Sequence, residues 1–227
     1  MYKAILFDVD DTLLDFKKGQ HHALEKLFAD QGVVFTSELK EVYQEKNHQL
    51  WSALEAGKIS RNDVLGGRFE SIFDYLGMKK DGLEMDQLFR QYLNQEAEYL
   101  PGAEKVLATL QDKYELYIVT NGVADTQKSR LTKAGMYPYV KDVFISEETG
   151  YQKPMTEFFD YVFDRVPHVK PSECLIVGDS LSADIKGGLL YGIDTCWLNP
   201  DQKVNTLSQE PTYQIRDISE VLTILDK

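Results

Sequence analysis

The chain reads as an α/β fold: a parallel sheet covered by helices on both faces and interrupted by an inserted helical domain. Three observations predict it. From Leu100 onward, short apolar runs alternate with segments of helical spacing, the pattern of successive strand–helix units. Between residues 16 and 99 that alternation is absent, and four helical segments follow one another, as in a small bundle. An isolated apolar run, Tyr2-Lys3-Ala4-Ile5-Leu6-Phe7, precedes those helices and has the length and bulk of a buried strand.

Taken in order, that first strand stops at Asp8-Val9-Asp10-Asp11-Thr12-Leu13. Helical spacing then marks residues 19–32, 37–56, 61–76 and 84–99. Within 37–56, Leu39, Val42, Tyr43, Leu50 and Leu54 keep one face apolar. Thr36 or Ser37 can cap its start and Gly57 can end it. Lys46 and Asn47 break that seam, either as a solvated face or as a place where Asn47 meets a ligand edge. Pro101-Gly102 marks the return to the sheet domain. Strands are predicted near 114–120, 142–146, 173–178 and 193–198. Helices near 103–112, 125–135, 155–166 and 181–191 separate them, with a last helix near 217–226. The expected organisation is one α/β domain, residues 1–15 plus 100–227, with a helical insertion over 16–99.

Composition bounds the function classes. Hydrophobic residues at 43% and charged residues at 27% are ordinary for a globular protein. Lys and Arg number 25 against 37 Asp and Glu, a net charge of −12, which argues against nucleic-acid polymers and anionic membranes as partners. A small anionic substrate stays open, because it responds to the local field of a site. No apolar stretch approaches the roughly 18 to 20 residues of a membrane span. A first strand beginning at residue 2 leaves no room for a signal peptide. Cys174 and Cys196 both lie in apolar strand-like runs, where buried reduced thiols are expected, as in a cytoplasmic protein.

Four places share one layout, an apolar strand followed by a polar tip. They are Asp8-Val9-Asp10-Asp11, then Thr120-Asn121-Gly122, then Gly150-Tyr151-Gln152-Lys153-Pro154, then Gly178-Asp179 with Asp184 five residues on. In open parallel sheets ligands bind beyond the carboxyl ends of the strands, so these tips can converge. Crowded carboxylates repel unless something offsets their charge, and a divalent cation turns them into ligands. Oxygen-only donors favour Mg²⁺ over zinc. A hydroxyl and amide N–H groups at the Thr120–Gly122 turn can cradle a phosphate or cap a helix. Asp11 reads as a local turn or capping residue.

In that order the four stretches resemble the motifs of the haloacid dehalogenase (HAD) superfamily, most of whose members are magnesium-dependent phosphatases. The resemblance implies a HAD-like Rossmannoid core, with the insertion as an α-helical cap that closes on substrate. It implies that Asp8 is the nucleophile and forms an aspartyl-phosphate, and that Asp10 is the general acid and base. Lys153 neutralises the nucleophile and the phosphoryl oxygens, while Thr120 and Asn121 bind phosphate. Asp8 and Asp179 give side-chain oxygens to Mg²⁺ and Asp10 its backbone carbonyl; Asp184 stands behind them, ordering a metal water or Lys153. Haloacid dehalogenases themselves lack the second aspartate, so Asp10 favours phosphate transfer over halide displacement.

The likeness extends into the insertion. Leu50-Trp51, Gly57-Lys58-Ile59-Ser60 and Arg68-Phe69-Glu70 look like a bacterial pyrimidine 5′-nucleotidase subfamily, as do Leu100-Pro101-Gly102-Ala103 and Thr195-Cys196-Trp197-Leu198-Asn199. By that resemblance the substrate is a small-molecule phosphate monoester, a pyrimidine nucleoside monophosphate. The alternative is a sugar-phosphate phosphatase or phosphomutase on the same core. Tyr151 departs from the small or aliphatic residue common before the lysine, and could stack on a base. Trp51 and Phe69 could do the same or belong to the core. Arg68 could pair with Glu70 or reach an anionic substrate. His21, His22, His48 and His168 read as surface or cap residues. Oligomeric state is not readable from this sequence.

Overall fold

β1 (Ala4–Phe7), β2 (Glu115–Thr120), β3 (Asp142–Ile145), β4 (Cys174–Gly178), β5 (Asp194–Leu198) and β6 (Tyr213–Ile215) form one sheet in the computed structural model, which describes residues 2–226. Their order is β3-β2-β1-β4-β5-β6, and every pairing is parallel. β1 is therefore central, flanked by β2 and β4, with Phe7 opposite Ile118 on one side and Val177 on the other. The chain builds outward from β1 to β3, then crosses back to β4 and builds the other way. That reversal is the topological switch point, where the crossovers part and leave a crevice at the carboxyl edge.

Alternate residues feed two cores. Ile5, Phe7, Leu116, Ile118, Leu175 and Val177 pack with Val106 and Leu107 of α5 (Ala103–Leu110) and with Val221 of α10 (Glu220–Leu225). Leu6, Tyr117, Val119, Phe144 and Ile176 pack instead on Phe158, Phe159 and Val162 of α8 (Thr156–Arg165). A strand covered on both faces has no polar side to show, which is why β1 reads as a continuous apolar run. α6 (Ala124–Lys133), the one-turn α7 (Ser146–Thr149) and α9 (Lys186–Tyr191) complete the crossovers.

Backbone contacts divide the chain into two units, Met1–Phe16 with Ala97–Lys227, and Lys17–Glu96. The second carries α2 (Ser37–Glu55), α3 (Arg61–Tyr75), α4 (Gly82–Leu93) and all but the first residue of α1 (Phe16–Asp30). Its core is aromatic: Phe28 stacks on Phe73 at 5.3 Å, and Phe69 lies 5.7 Å from Tyr43 and 5.4 Å from Phe89. The Thr36 hydroxyl accepts from the Leu39 N–H and caps α2, while Ser60 and Asp63 cap α3 reciprocally.

Besides the one-turn α7, which was not expected, three elements differ from expectation. The helix expected over 84–99 is α4, starting behind the Asp81 cap and ending at Leu93. Residues 94–96 close tight turns, and Tyr99 then bridges to Leu14 as the chain re-enters the sheet unit. The helix expected over 181–191 is split into a π-helical turn, Leu181–Ile185, and α9. β6 was not anticipated: three residues carry no readable period, and only the open edge of β5 makes them a strand.

Candidate active site

All four polar tips gather at the carboxyl edge beside β1. Asp8 follows β1 directly, and its N–H donates to the Val177 carbonyl at 2.9 Å, so the ladder holds its backbone one residue past the strand. Its carboxylate accepts from Lys153 Nζ at 2.8 Å. Lys153 is buried and donates twice more, to Asp184 Oδ1 at 2.5 Å and to the Val119 carbonyl at 2.6 Å. All three donors of the ammonium are thus satisfied by one carbonyl and two carboxylates.

Asp184 is fully buried on the π-helical turn, and its Oδ2 accepts from the Ser180 N–H at 3.1 Å. π-helical turns are rare and concentrate at functional sites. Gly178 makes room for this carboxylate, because a Cβ there would meet Asp184 Oδ2 at 2.2 Å. Asp179 is held through its backbone from two sides, its N–H by the Thr12 hydroxyl at 3.1 Å and its carbonyl by the Trp197 indole at 2.9 Å. Carboxylate oxygens of Asp8, Asp179 and Asp184 all lie within 4.8 Å of one another.

The Asn121 amide brackets the backbone of Lys153, accepting from its N–H at 2.9 Å and donating to its carbonyl at 2.8 Å. Asn121 therefore sets the loop that aims Lys153, a task not anticipated alongside the expected phosphate contact. Thr120 is buried at the end of β2, and its Oγ1 accepts from the Gly122 N–H and from Gln127 Nε2, at 3.1 and 2.8 Å. Asp10 is half-buried; Gln127 Nε2 donates to its Oδ2 at 3.0 Å, and the buried Arg130 guanidinium donates to its Oδ1. Asp11 sits in the left-handed region at φ 58°, with its N–H on the Leu14 carbonyl, as a turn residue.

Thr12, Gln127, Arg130 and Trp197 escaped sequence reasoning. One signal for two of them exists in α6. Gln127 and Arg130 share a face with the core residue Leu131, so polar side chains occupy inward positions of the helix. The helical unit holds the remaining candidates. Phe69 is core. Arg68 reaches neither Glu70 nor solvent: it is buried, paired with the fully buried Asp86, and donates to Asn47 Oδ1 at 3.2 Å. Asn47 thus joins a polar cluster within its own unit, and Trp51 lies under the Arg61 guanidinium. Tyr151 is exposed.

The electrostatics follow from burial. Desolvation pushes the Asp8 carboxyl up to about 7, Lys153 opposes that, and Asp184 and Asp10 add to it. Burial works against the Lys153 charge, but Asp184 and Asp8 outweigh it and raise its pKa. Asp8, Asp179 and Asp184 thus gather as a carboxylate cluster around the Lys153 charge. An oxygen-only cluster of this kind fits a hard divalent cation. Both thiols are buried and free, and desolvation pushes Cys174 and Cys196 up to about 12. Among the described residues, no helix is long and apolar enough to cross a membrane.

Known proteins resemble this chain in sequence and fold. The HAD-hydrolase YfnB of Bacillus subtilis is 46% identical, covering 99% of this chain and 96% of that protein. A magnesium-bound crystal structure of YfnB superposes with a TM-score of 0.95 over 100% of this chain and 99% of that one. The pyrimidine 5′-nucleotidase PynA of Streptococcus pneumoniae is 39% identical over 100% of this chain and 96% of its own length. The pyrimidine 5′-nucleotidase YjjG of Escherichia coli is 34% identical over 98% and 97%. The sequence profile of haloacid dehalogenase-like hydrolases matches residues 2–192, from β1 to the end of α9. A match of that extent, with relatives this similar along their whole length, makes the chain a member of the haloacid dehalogenase-like hydrolase family.

Proposed function

We propose that the chain is a Mg²⁺-dependent phosphatase of nucleoside 5′-monophosphates, pyrimidines preferred, working through an aspartyl-phosphate in the cytoplasm. The observation that carries the chemistry is the buried Lys153 ammonium shared by Asp8 and Asp184 beside Asp179. A nucleophile, its counter-charge and a cation site then stand at one strand end. The substrate class rests on PynA and YjjG, two pyrimidine 5′-nucleotidases that align with the whole chain.

Asp8 attacks phosphorus in line with the ester oxygen. The P–O ester bond breaks, its electron pair stays on the leaving oxygen, and that oxygen takes a proton from Asp10. A water then gives its proton back to Asp10 and attacks the same phosphorus. The Asp8–phosphorus bond breaks and inorganic phosphate leaves. Lys153 holds Asp8 in place and its charge offsets that of the phosphoryl oxygens, while the Thr120 hydroxyl donates to them. Asp8 and Asp179, with the Asp10 carbonyl, would hold Mg²⁺, which supplies positive charge for phosphoryl transfer; Asp184 orders the lysine behind them.

The test is phosphate release with Mg²⁺ from a panel of nucleoside monophosphates, sugar phosphates and aryl phosphates. A kcat/KM at least tenfold higher for UMP, dUMP or dTMP than for purine counterparts, about 1.4 kcal/mol of discrimination, is expected. Preference for sugar phosphates removes the nucleotidase reading and keeps the phosphatase.

A further inference from the structure

Asp10 meets two donors from one face of α6. Gln127 Nε2 lies 3.0 Å from its Oδ2, and Arg130 donates to its Oδ1. Arg130 also donates to Gln127 Oε1 at 3.0 Å, which fixes the orientation of that amide. The Gln127 amide nitrogen must then face Asp10 and Thr120 together, with Thr120 Oγ1 at 2.8 Å. Neither side chain has freedom to drift. Both are 1% exposed, and the guanidinium lies 5.4 Å from the Phe16 ring centroid. Gly122 is part of the fit, since a Cβ there would come within 2.6 Å of Gln127 Cγ.

Two consequences follow for the reacting groups. A hydroxyl has two acceptor positions and one proton. Thr120 Oγ1 accepts from both Gln127 and the Gly122 N–H, so its proton is left to donate outward. A carboxyl group offers about four lone-pair positions, so each Asp10 oxygen keeps one after accepting its α6 donor and can carry a proton there.

On the phosphatase reading above, we propose that Gln127 and Arg130 are positioning residues that fix the Asp10 carboxyl for proton transfer to the leaving oxygen and leave Thr120 as an outward donor. Fixing a general acid matters only where the leaving group needs a proton. A ribose oxygen leaves as the alcohol and takes that proton from Asp10. A nitrophenolate leaves as the anion and takes none.

The experiment compares kcat/KM for a nucleoside monophosphate and for p-nitrophenyl phosphate in Arg130→Met, Arg130→Lys and Gln127→Ala. For Arg130→Met the nucleotide value falls about a hundredfold, the scale of general-acid assistance, and the aryl value less than about fivefold. Arg130→Lys recovers part of the nucleotide loss, and Gln127→Ala shows the same leaving-group asymmetry at smaller size. In an Asp10→Asn background, Arg130→Met adds less than about twofold. Equal losses on both esters, or a full additive loss in that background, overturn the proposal. Should Arg130→Met fail to fold, the asymmetry is read from Gln127→Ala, and its absence there is equally decisive. A wild-type protein inactive on both esters removes the phosphatase reading itself, an outcome distinct from proportionate losses in an active enzyme.

Discussion

Asp8 carries a conflict that its neighbours only partly resolve. Burial first, then Asp184 and Asp10, raise its pKa from 3.8 to about 7, while Lys153 pulls it down. A carboxyl that is easier to protonate in the fold than in the unfolded chain contributes stability below the unfolded pKa. That contribution is lost as pH rises through the folded value. In chelator, the melting temperature of the wild type is therefore expected to fall between pH 5 and pH 8 more steeply than that of Asp8→Asn, which has no group to ionise there. The same substitution is expected to abolish phosphate release in the presence of Mg²⁺. Parallel melting curves across that range would show that Lys153 fully offsets the burial. The acidic tip carrying Asp8 and Asp10 was legible as a candidate site because three acids after an apolar strand demand a counter-charge. The Asp8 pKa was not, since it depends on Lys153 and Asp184, 145 residues and more along the chain.

At the scale of elements, α3 and α4 are tied by a buried ion pair. Asp86 is fully buried, accepts from Arg68, and its Oδ2 accepts from Arg90 Nε at 2.7 Å. Arg68 also lies 5.1 Å from the ring centroids of Phe69 and Phe89. Removing one partner leaves the other charge buried and uncompensated, at about 3–5 kcal/mol. Asp86→Ala is thus expected to lower the urea midpoint by that equivalent, and Asp86→Asn by less. A loss under about 1 kcal/mol for Asp86→Ala would place the pair among groups that contribute little. The helix periods were readable and so was the cap of α2, narrowed to Thr36 or Ser37, because caps and amphipathic faces are local properties. The burial of Arg68 was not, since a lone arginine among aromatics looks the same facing water or core.

For the whole molecule, the all-parallel sheet decides where chemistry can happen. β1 lies at the point where the strand order reverses, and its tip meets those of β2 and β4. The carboxylates of Asp8, Asp179 and Asp184 gathered there would give a divalent cation a higher affinity for the folded state than for the unfolded chain. Mg²⁺ at about a hundred times its dissociation constant is expected to stabilise the fold by about 2.7 kcal/mol. Differential scanning fluorimetry should show a rise in melting temperature with Mg²⁺ that Asp179→Asn abolishes. Excess chelator should silence phosphate release and Mg²⁺ restore it; full activity in chelator would contradict the cation site.

By itself the sequence determined the alternating strand–helix core, the helical insertion and the four polar tips, along with the identity of the acids and the lysine. Each of these is written in a short window: an apolar run, a period, a cap, an abrupt carboxylate cluster. Tertiary structure alone decided which polar side chains face inward. It buried Gln127 and Arg130 against Asp10, turned the Asn121 amide onto the Lys153 backbone, placed Thr12 and Trp197 on Asp179, and recruited β6. The physical reason is that a hydrogen-bond donor has no address in one dimension. Its partner is set by which strand tips the sheet brings together, and desolvation then fixes what that partnership is worth.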